Sequence, residues 1–389
     1  MSQFIIGSSL EDVIGSSSKA LDLWCSSTSA GAYHAQGLFE TFHERFWGRN
    51  IKDEEVAWRV SQSANKPNGH SEMLMDADDS EMTEGGYVIG FPLGPRDYKI
   101  LVREEYGRLY DELDTWVNSS EKDTVSAVVT GQAGIGKTAW IYYALRRRLG
   151  EGKPVMWYFS DTWYLFVDDG VFVKPDDFYP MSFKQRVWVL VDHHGEAGST
   201  VPGASFARDP WSPLFVILAC SPNAAIWKGF ERSDRTTTCI MDPWTRQEMH
   251  QFVRLRNLDL ERTTEIYDKF GPMPRLWMHL RDQCDLERYE SQVRWLIDTK
   301  PPAEFWRLIC ETGYLVDSDV SEKICLVSRK DALSNPRGLH IVQPITGNIE
   351  SLLLSRLLEL APFERLELYE KFPTHNNLGS FAEILLKSC

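Results

Sequence analysis

Eight consecutive residues carry the clearest chemistry in this chain: Gly131–Gln132–Ala133–Gly134–Ile135–Gly136–Lys137–Thr138, a complete G-x-x-x-x-G-K-[ST] pattern. Its glycines let successive backbone N–H groups turn inward around phosphate oxygens, where a Cβ would obstruct the approach. In that geometry Lys137 reaches the β- and γ-phosphates of a nucleotide, and the Thr138 hydroxyl ligates Mg²⁺. The pattern needs a strand before it and a helix after it. Ala127–Thr130 is a short run suited to a buried strand, and Thr138–Leu149 predicts a helix that Gly150 can end. The helix N-terminus adds partial positive charge. A glycine-rich turn that binds nothing is the alternative, and the flanking elements weigh against it.

Other residues are placed to complete such a site. Val187–Trp188–Val189–Leu190–Val191–Asp192 is an apolar strand delivering a carboxylate at its C-terminal edge, where ligands bind in parallel sheets. Asp192 is therefore the expected second Mg²⁺ residue, opposite Thr138. Many ATPases with this strand pattern place Glu next, to activate the attacking water. This chain has His193 and His194 there. Three readings stay open: His193 acts as the base, Glu196 swings in, or hydrolysis is slow. A plain polar loop is the bland reading of the same residues, and two adjacent histidines alone make a poor metal site. Ser221 and Asn223 follow the next strand, where a polar side chain can orient water; Asn223 can equally cap a turn after Pro222. Arg275 stands at the start of a predicted helix and is the candidate to contact the γ-phosphate. An ordinary helix-end arginine is its alternative.

The elements that must hold these residues follow from periodicity. Val155–Phe159, Val187–Val191, Phe215–Ala219 and Thr236–Met241 join Ala127–Thr130 as five apolar strands separated by helix-length connections, which implies a parallel sheet covered on both faces. Tyr164–Val167 and Val171–Val173 flank Asp168–Asp169–Gly170, a hairpin signal. Val102, Tyr106, Leu109, Leu113 and Trp116 recur at three- and four-residue spacing, so Arg96–Val117 reads as one amphipathic helix. Thr245–Glu248 spells a capping box. It opens a helical stretch that includes Glu261–Phe270 and a further helix starting near Leu276. Lys323–Val327 and Leu339–Val342 predict short strands, followed by a helix over Ile349–Leu360. The resulting division is a variable region over 1–95 with an acidic linker, a docking helix over 96–118, the core over 119–243, a helical lid over 244–300 and a C-terminal module over 301–389.

Composition narrows the function. A net charge of −14 argues against unspecific binding to nucleic acid or to an anionic membrane. The seven cysteines contain no C-x-x-C pair and are odd in number, the pattern of reduced thiols rather than of a disulfide framework or a zinc site. The N-terminus lacks the basic start and long apolar core of a signal peptide, and no apolar run approaches membrane-spanning length.

An ordered set of stretches resembles one family. It comprises Val102–Arg103–Glu104–Glu105–Tyr106, the loop at 131–138, Tyr164–Leu165–Phe166 with Gly170–Val171–Phe172, and the strand at 187–192. Ser221–Pro222–Asn223, Trp227–Lys228, Asp242–Pro243–Trp244 and Phe270–Gly271–Pro272–Met273–Pro274–Arg275 complete it. Over roughly residues 90–385 the chain resembles the Crinkler-type effectors and related retrotransposon-hot-spot P-loop ATPases of fungi and oomycetes. That resemblance implies an ATPase coupled to a C-terminal effector, often a nuclease of the restriction-endonuclease type. Gly379–Ser380–Phe381–Ala382–Glu383 resembles the first helix of such a nuclease, yet no Asp followed by Glu-x-Lys comes after the lid. The effector end is thus expected to be truncated or degenerate. The family's N-terminal header is not apparent either.

The expectation is an α/β P-loop NTPase with a parallel sheet of additional-strand (AAA/STAND-like) order, a helical lid and a small C-terminal α/β region. ATP and Mg²⁺ are the expected cofactors. Residues 1–95 offer a surface for a protein partner, an oligomer is compatible, and neither a membrane nor direct nucleic-acid contact is expected. The expected place is inside a cell, in cytoplasm or nucleus; secretion into a host cell by a non-standard route is the alternative. A nucleotide-gated scaffold with negligible turnover is the competing function, and a DNA-acting effector with a degenerate nuclease is a third.

Overall fold

The computed structural model describes residues 8–27, 32–50, 87–91, 98–118, 126–178, 183–194, 200–208, 211–222, 236–302, 304–305, 322–329 and 340–371. In chain order its elements begin with helices α1 (Leu10–Ile14), α2 (Ser18–Ser26) and α3 (Ala32–Phe46) and the antiparallel hairpin β1 (Tyr87–Phe91) and β2 (Tyr98–Val102). Helix α4 (Glu104–Asn118) leads to β3 (Ser126–Thr130), α5 (Lys137–Gly150), β4 (Val155–Phe159), β5 (Thr162–Val167), β6 (Gly170–Val173) and β7 (Val187–Asp192). Then come α6 (Ala204–Arg208), β8 (Leu214–Ala219), β9 (Thr236–Ile240), α7 (Arg246–Arg256), α8 (Leu260–Phe270), α9 (Pro274–His279) and α10 (Gln283–Thr299). A second antiparallel hairpin, β10 (Cys325–Arg329) and β11 (His340–Pro344), precedes α11 (Gly347–Leu358) and α12 (Pro362–Lys371).

The centre is a seven-stranded sheet in the order β6-β5-β4-β7-β8-β3-β9. The five strands from β4 to β9 run parallel, and β5 and β6 add an antiparallel edge. Side chains alternate across it, as a strand period of two requires. On β7, Trp188 and Leu190 join one apolar layer with Trp140, Leu145 and Phe42, while Val187, Val189 and Val191 join the other with Leu10, Val13 and Ile14. Burial on both faces is why these strands read as unbroken apolar runs. The α/β class and mostly parallel sheet agree with the sequence reading, and the architecture is compatible with a nucleotide-binding fold. Strand β8 lies between β3 and β7, so the loop after β3 and the carboxylate ending β7 straddle one intervening strand.

Three local differences from the sequence reading have physical reasons. Within Arg96–Val117 the helix begins only at Glu104, because Tyr98–Val102 pairs with β1 as a strand. Tyr106, Leu109, Leu113 and Trp116 form the buried stripe as expected, while Val102 belongs to the strand. Helix α5 runs one residue beyond Leu149, with Gly150 as its last residue rather than the one that follows it; Gly152 takes the left-handed conformation, at φ 62°. A Cβ at Gly150 would lie 2.6 Å from the Arg49 carbonyl, so close packing explains that glycine. Finally, β4 and β5 join through Ser160 and Asp161 at φ 46° and 61°, a two-residue turn without the usual Asn-Gly signal.

The N-terminal helices are tied to the sheet edge. His43 Nε2 lies 2.6 Å from Val167 O, and Trp47 Nε1 donates to Asp168 at 2.7 Å. At the other end, α7 opens on the capping box of Thr245 and Glu248, as the sequence spells. Helix α8 starts on the Asp259 cap and stops at Gly271, φ 96°, whose missing Cβ leaves room for Ile345 at the end of the second hairpin. Thr346 Oγ1 donates to Lys269 O at 2.9 Å, so the C-terminal segment seats on α8. No helix among the described residues is long and apolar enough to cross a membrane.

Candidate phosphate-binding site

The eight-residue motif forms the turn between β3 and α5. Gly131, Gly134 and Gly136 have φ values of 148°, 75° and 104°. At Gly136 a Cβ would also sit 2.4 Å from Tyr106 Oη, and at Gly131 2.8 Å from Met241 O. Both positions therefore exclude larger residues on conformation and on space. Two aromatic groups pin the carbonyls behind the loop: Tyr106 Oη donates to Gly136 O at 3.1 Å and Trp244 Nε1 to Ile135 O at 2.6 Å. Ile135 is fully buried beneath it. Among the described residues, no acceptor takes the backbone N–H groups of Gly134, Gly136, Lys137 and Thr138. With these carbonyls engaged and four N–H groups without a described acceptor at a helix N-terminus, the turn offers the kind of donors that an anion can use.

Lys137 is folded onto its own loop, its Nζ donating to Gly131 O and Gln132 O at 2.9 Å each. Burial pulls its pKa down to about 8; Arg275 pushes the same way, and Cys220, Asp192 and Glu322 oppose. An anion entering the loop would offset that desolvation, which is a reason for the site to attract one.

Asp192 ends β7 opposite Ala219 of β8, and its Oδ2 pairs with His194 Nε2 at 3.1 Å. That bond raises the His194 pKa. His193 behaves oppositely: burial, helped by the neighbouring His194, lowers its pKa, so its imidazole is neutral at pH 7. Cys220, just beyond β8, is a core thiol pushed up to about 12 by burial, with Lys137 opposing the shift and Asp192 adding to it. Arg275 occupies the first turn of α9, with its stem against Gly134: a Cβ there would lie 3.0 Å from Arg275 Cβ. Its guanidinium is exposed, acts on Lys137 and His194, and makes no hydrogen bond or ion pair to a described residue. Lys137, Asp192, His194 and Arg275 thus share one electrostatic neighbourhood beside the loop. Thr138 is half-buried in the first turn of α5, and Ser221 is half-buried just past β8. Glu196 and Asn223 lie outside the described residues, as do Trp227, Lys228 and the segment 379–383. No group of three or more His, Cys, Asp or Glu suited to a metal occurs among the described residues.

Sequence reasoning missed the network behind the loop. Arg103, 3% exposed, forks onto Glu248 at 2.9 and 3.0 Å, donates to the Asp242 and Pro243 carbonyls, and stacks over Trp244 with its centroid 4.7 Å away. Glu105 accepts the Asp242 N–H at 2.7 Å and pairs with Arg108. Through Tyr106 and Trp244 this cluster fixes the position of Ile135 and Gly136. The only sequence signal was the pair of strings Val102–Tyr106 and Asp242–Trp244, and nothing in either says that they meet.

No protein-family model matches the chain. Among characterised proteins it is similar to Crinkler effector protein 15 of Phytophthora infestans, 25% identical over 154 residues. Crinkler effector protein 16 of the same organism matches at the same identity and length. The matched segment covers 39% of this chain and 24% of each relative, so it spans about a quarter of their length. The similarity amounts to a distant Crinkler-like relationship at most.

Proposed function

We propose that this chain is a P-loop ATPase of the Crinkler and retrotransposon-hot-spot type, binding ATP–Mg²⁺ at Gly131–Thr138 and relaying its state through the helical lid. The observation that carries the reading is the loop itself: three glycines at positive φ, open N–H groups at the start of α5, and Lys137 held beside them. Placement of β8 between β3 and β7 supports it. Thr138 and Asp192 are the residues that would hold Mg²⁺. They fit, because His194 engages only Oδ2 of Asp192 and leaves Oδ1 without a partner among the described residues. The ion would neutralise charge on the phosphate oxygens.

The chain's own groups divide the remaining work. The loop N–H groups and Lys137 bind and orient the phosphates. Arg275, free of any described partner and resting against Gly134, is suited to meet charge developing at the γ-phosphate and to move the lid with it. His193, neutral by burial, can take the proton of an attacking water. One observation favours the second reading, a nucleotide-gated switch with negligible turnover: the position after Asp192 holds a buried imidazole where a carboxylate is the stronger arrangement.

Steady-state phosphate release separates the two. The ATPase reading expects turnover by the wild type, slowed about 100-fold in His193→Ala and at least about tenfold in Arg275→Ala. A wild type that binds ATP and releases no phosphate establishes the switch.

A further inference from the structure

Gln132 is a loop residue whose side chain is spent elsewhere. It is 1% exposed, and its amide bridges to the C-terminal segment: Nε2 donates to Glu322 O at 2.9 Å, and Oε1 accepts the Val327 N–H of β10 at 3.3 Å. The same residue's carbonyl accepts from Lys137 at 2.9 Å. One peptide unit therefore carries the hairpin on its side chain and the phosphate-loop lysine on its backbone. A second anchor lies behind the loop, where Arg329, at the end of β10, donates through Nε to Asp242 Oδ2 at 2.7 Å. Asp242 follows Met241, whose N–H bonds Thr130 O at the end of the strand that enters the loop.

We propose that the β10–β11 hairpin is a built-in antagonist of the 131–138 loop: it docks on the loop through Gln132 and Asp242, sharing Gln132 with Lys137, and triphosphate binding loosens it. Two forces act in the same direction. Glu322 favours the Lys137 ammonium, a role that an entering anion would take over, and the two like charges would oppose each other. In addition, Lys137 must leave the Gly131 and Gln132 carbonyls to reach a phosphate, which disturbs the peptide whose side chain holds the hairpin. Linkage makes the coupling reciprocal: whatever undocks the hairpin tightens the nucleotide, and the nucleotide undocks the hairpin by the same factor. The C-terminal segment thereby becomes the output element of nucleotide binding. The proposal rests on the nucleotide reading above.

The test titrates ATP with Mg²⁺ into the full chain by calorimetry, comparing wild type with Glu322→Gln and Arg329→Ala. The first removes the charge at near-constant shape; the second releases the other anchor. Each is expected to bind ATP about fivefold more tightly or better. In the wild type, ATP is expected to speed amide exchange at Val327. Equal or weaker ATP binding by both variants overturns the proposal and leaves the nucleotide reading standing. ATP that binds none of the three proteins overturns the nucleotide reading, and the proposal with it.

Discussion

Replacing Lys137 by Ala is expected to weaken ATP binding roughly 100-fold, as measured by calorimetry or by displacement of a fluorescent nucleotide. The ammonium is already desolvated, with a pKa lowered to about 8, so the protein has borne part of the cost of presenting a charge there. It sits 2.9 Å from the Gly131 and Gln132 carbonyls, partners that an arriving phosphate can replace with a stronger, charge-assisted bond. Removing the charge leaves only the loop N–H groups and the helix terminus, which bind anions weakly by themselves. The fold should survive the change, because Lys137 is half-buried at the first position of α5 and its amine bonds, among the described residues, only its own loop. An unchanged thermal midpoint together with lost binding is the expected pair of results. Unchanged ATP affinity would end the assignment.

The largest expected effect on stability is at Glu248. Its carboxylate caps α7 through the Thr245 N–H at 2.8 Å and receives the Arg103 guanidinium on both oxygens. Glu248→Ala removes the carboxylate half of the capping box and takes the counter-charge from a guanidinium that is 3% exposed. Breaking one side of a buried pair costs about 3 kcal/mol or more, against the near-zero value of a surface pair. Thermal or urea unfolding should show that loss. The 131–138 loop should suffer too, since Arg103 also holds the carbonyls of Asp242 and Pro243, next to the Trp244 that donates to Ile135 O. Weaker ATP binding is therefore expected along with lower stability, although the described hydrogen bonds of Glu248 go to Arg103 and Thr245 and not to the loop. A loss under about 0.5 kcal/mol would place this pair with ordinary surface contacts.

Much of the architecture was legible in the chain because burial on both faces writes itself into composition. The β7 and β8 strands contain almost nothing but apolar residues, and Asp168–Asp169–Gly170 announces the edge hairpin. The capping box at Thr245 and the stripe from Tyr106 to Trp116 were equally readable, since both are local patterns. The start of α4 was not. Val102 happens to continue the helical spacing, whereas the pairing of β2 with β1 is decided by residues that helical periodicity ignores. Within the site, Lys137, Asp192 and Arg275 could be named from position in motif or strand. Their neighbours could not. Arg103 meets Glu248 across 145 positions, and Gln132 meets Val327 across 195, so neither contact leaves a periodic trace. His193 shows a further limit, because a histidine's protonation depends on burial that the string His193–His194 does not reveal.

These long-range contacts converge on one short loop. Helix α4 reaches it through Tyr106, the segment entering α7 through Trp244, α9 through Arg275, and the C-terminal hairpin through the Gln132 side chain. A ligand that moves the loop therefore acts on every layer outside the sheet at once, which is the arrangement a nucleotide-driven device needs. The central claim is that this ligand is ATP–Mg²⁺ and that it sits on the loop. Amide hydrogen exchange of the wild-type chain, with and without saturating ATP–Mg²⁺, tests it most directly. The account predicts slower exchange at Gly134, Gly136, Lys137 and Thr138, whose N–H groups have no described acceptor. Exchange at those four amides that is the same with and without ATP–Mg²⁺ would contradict it.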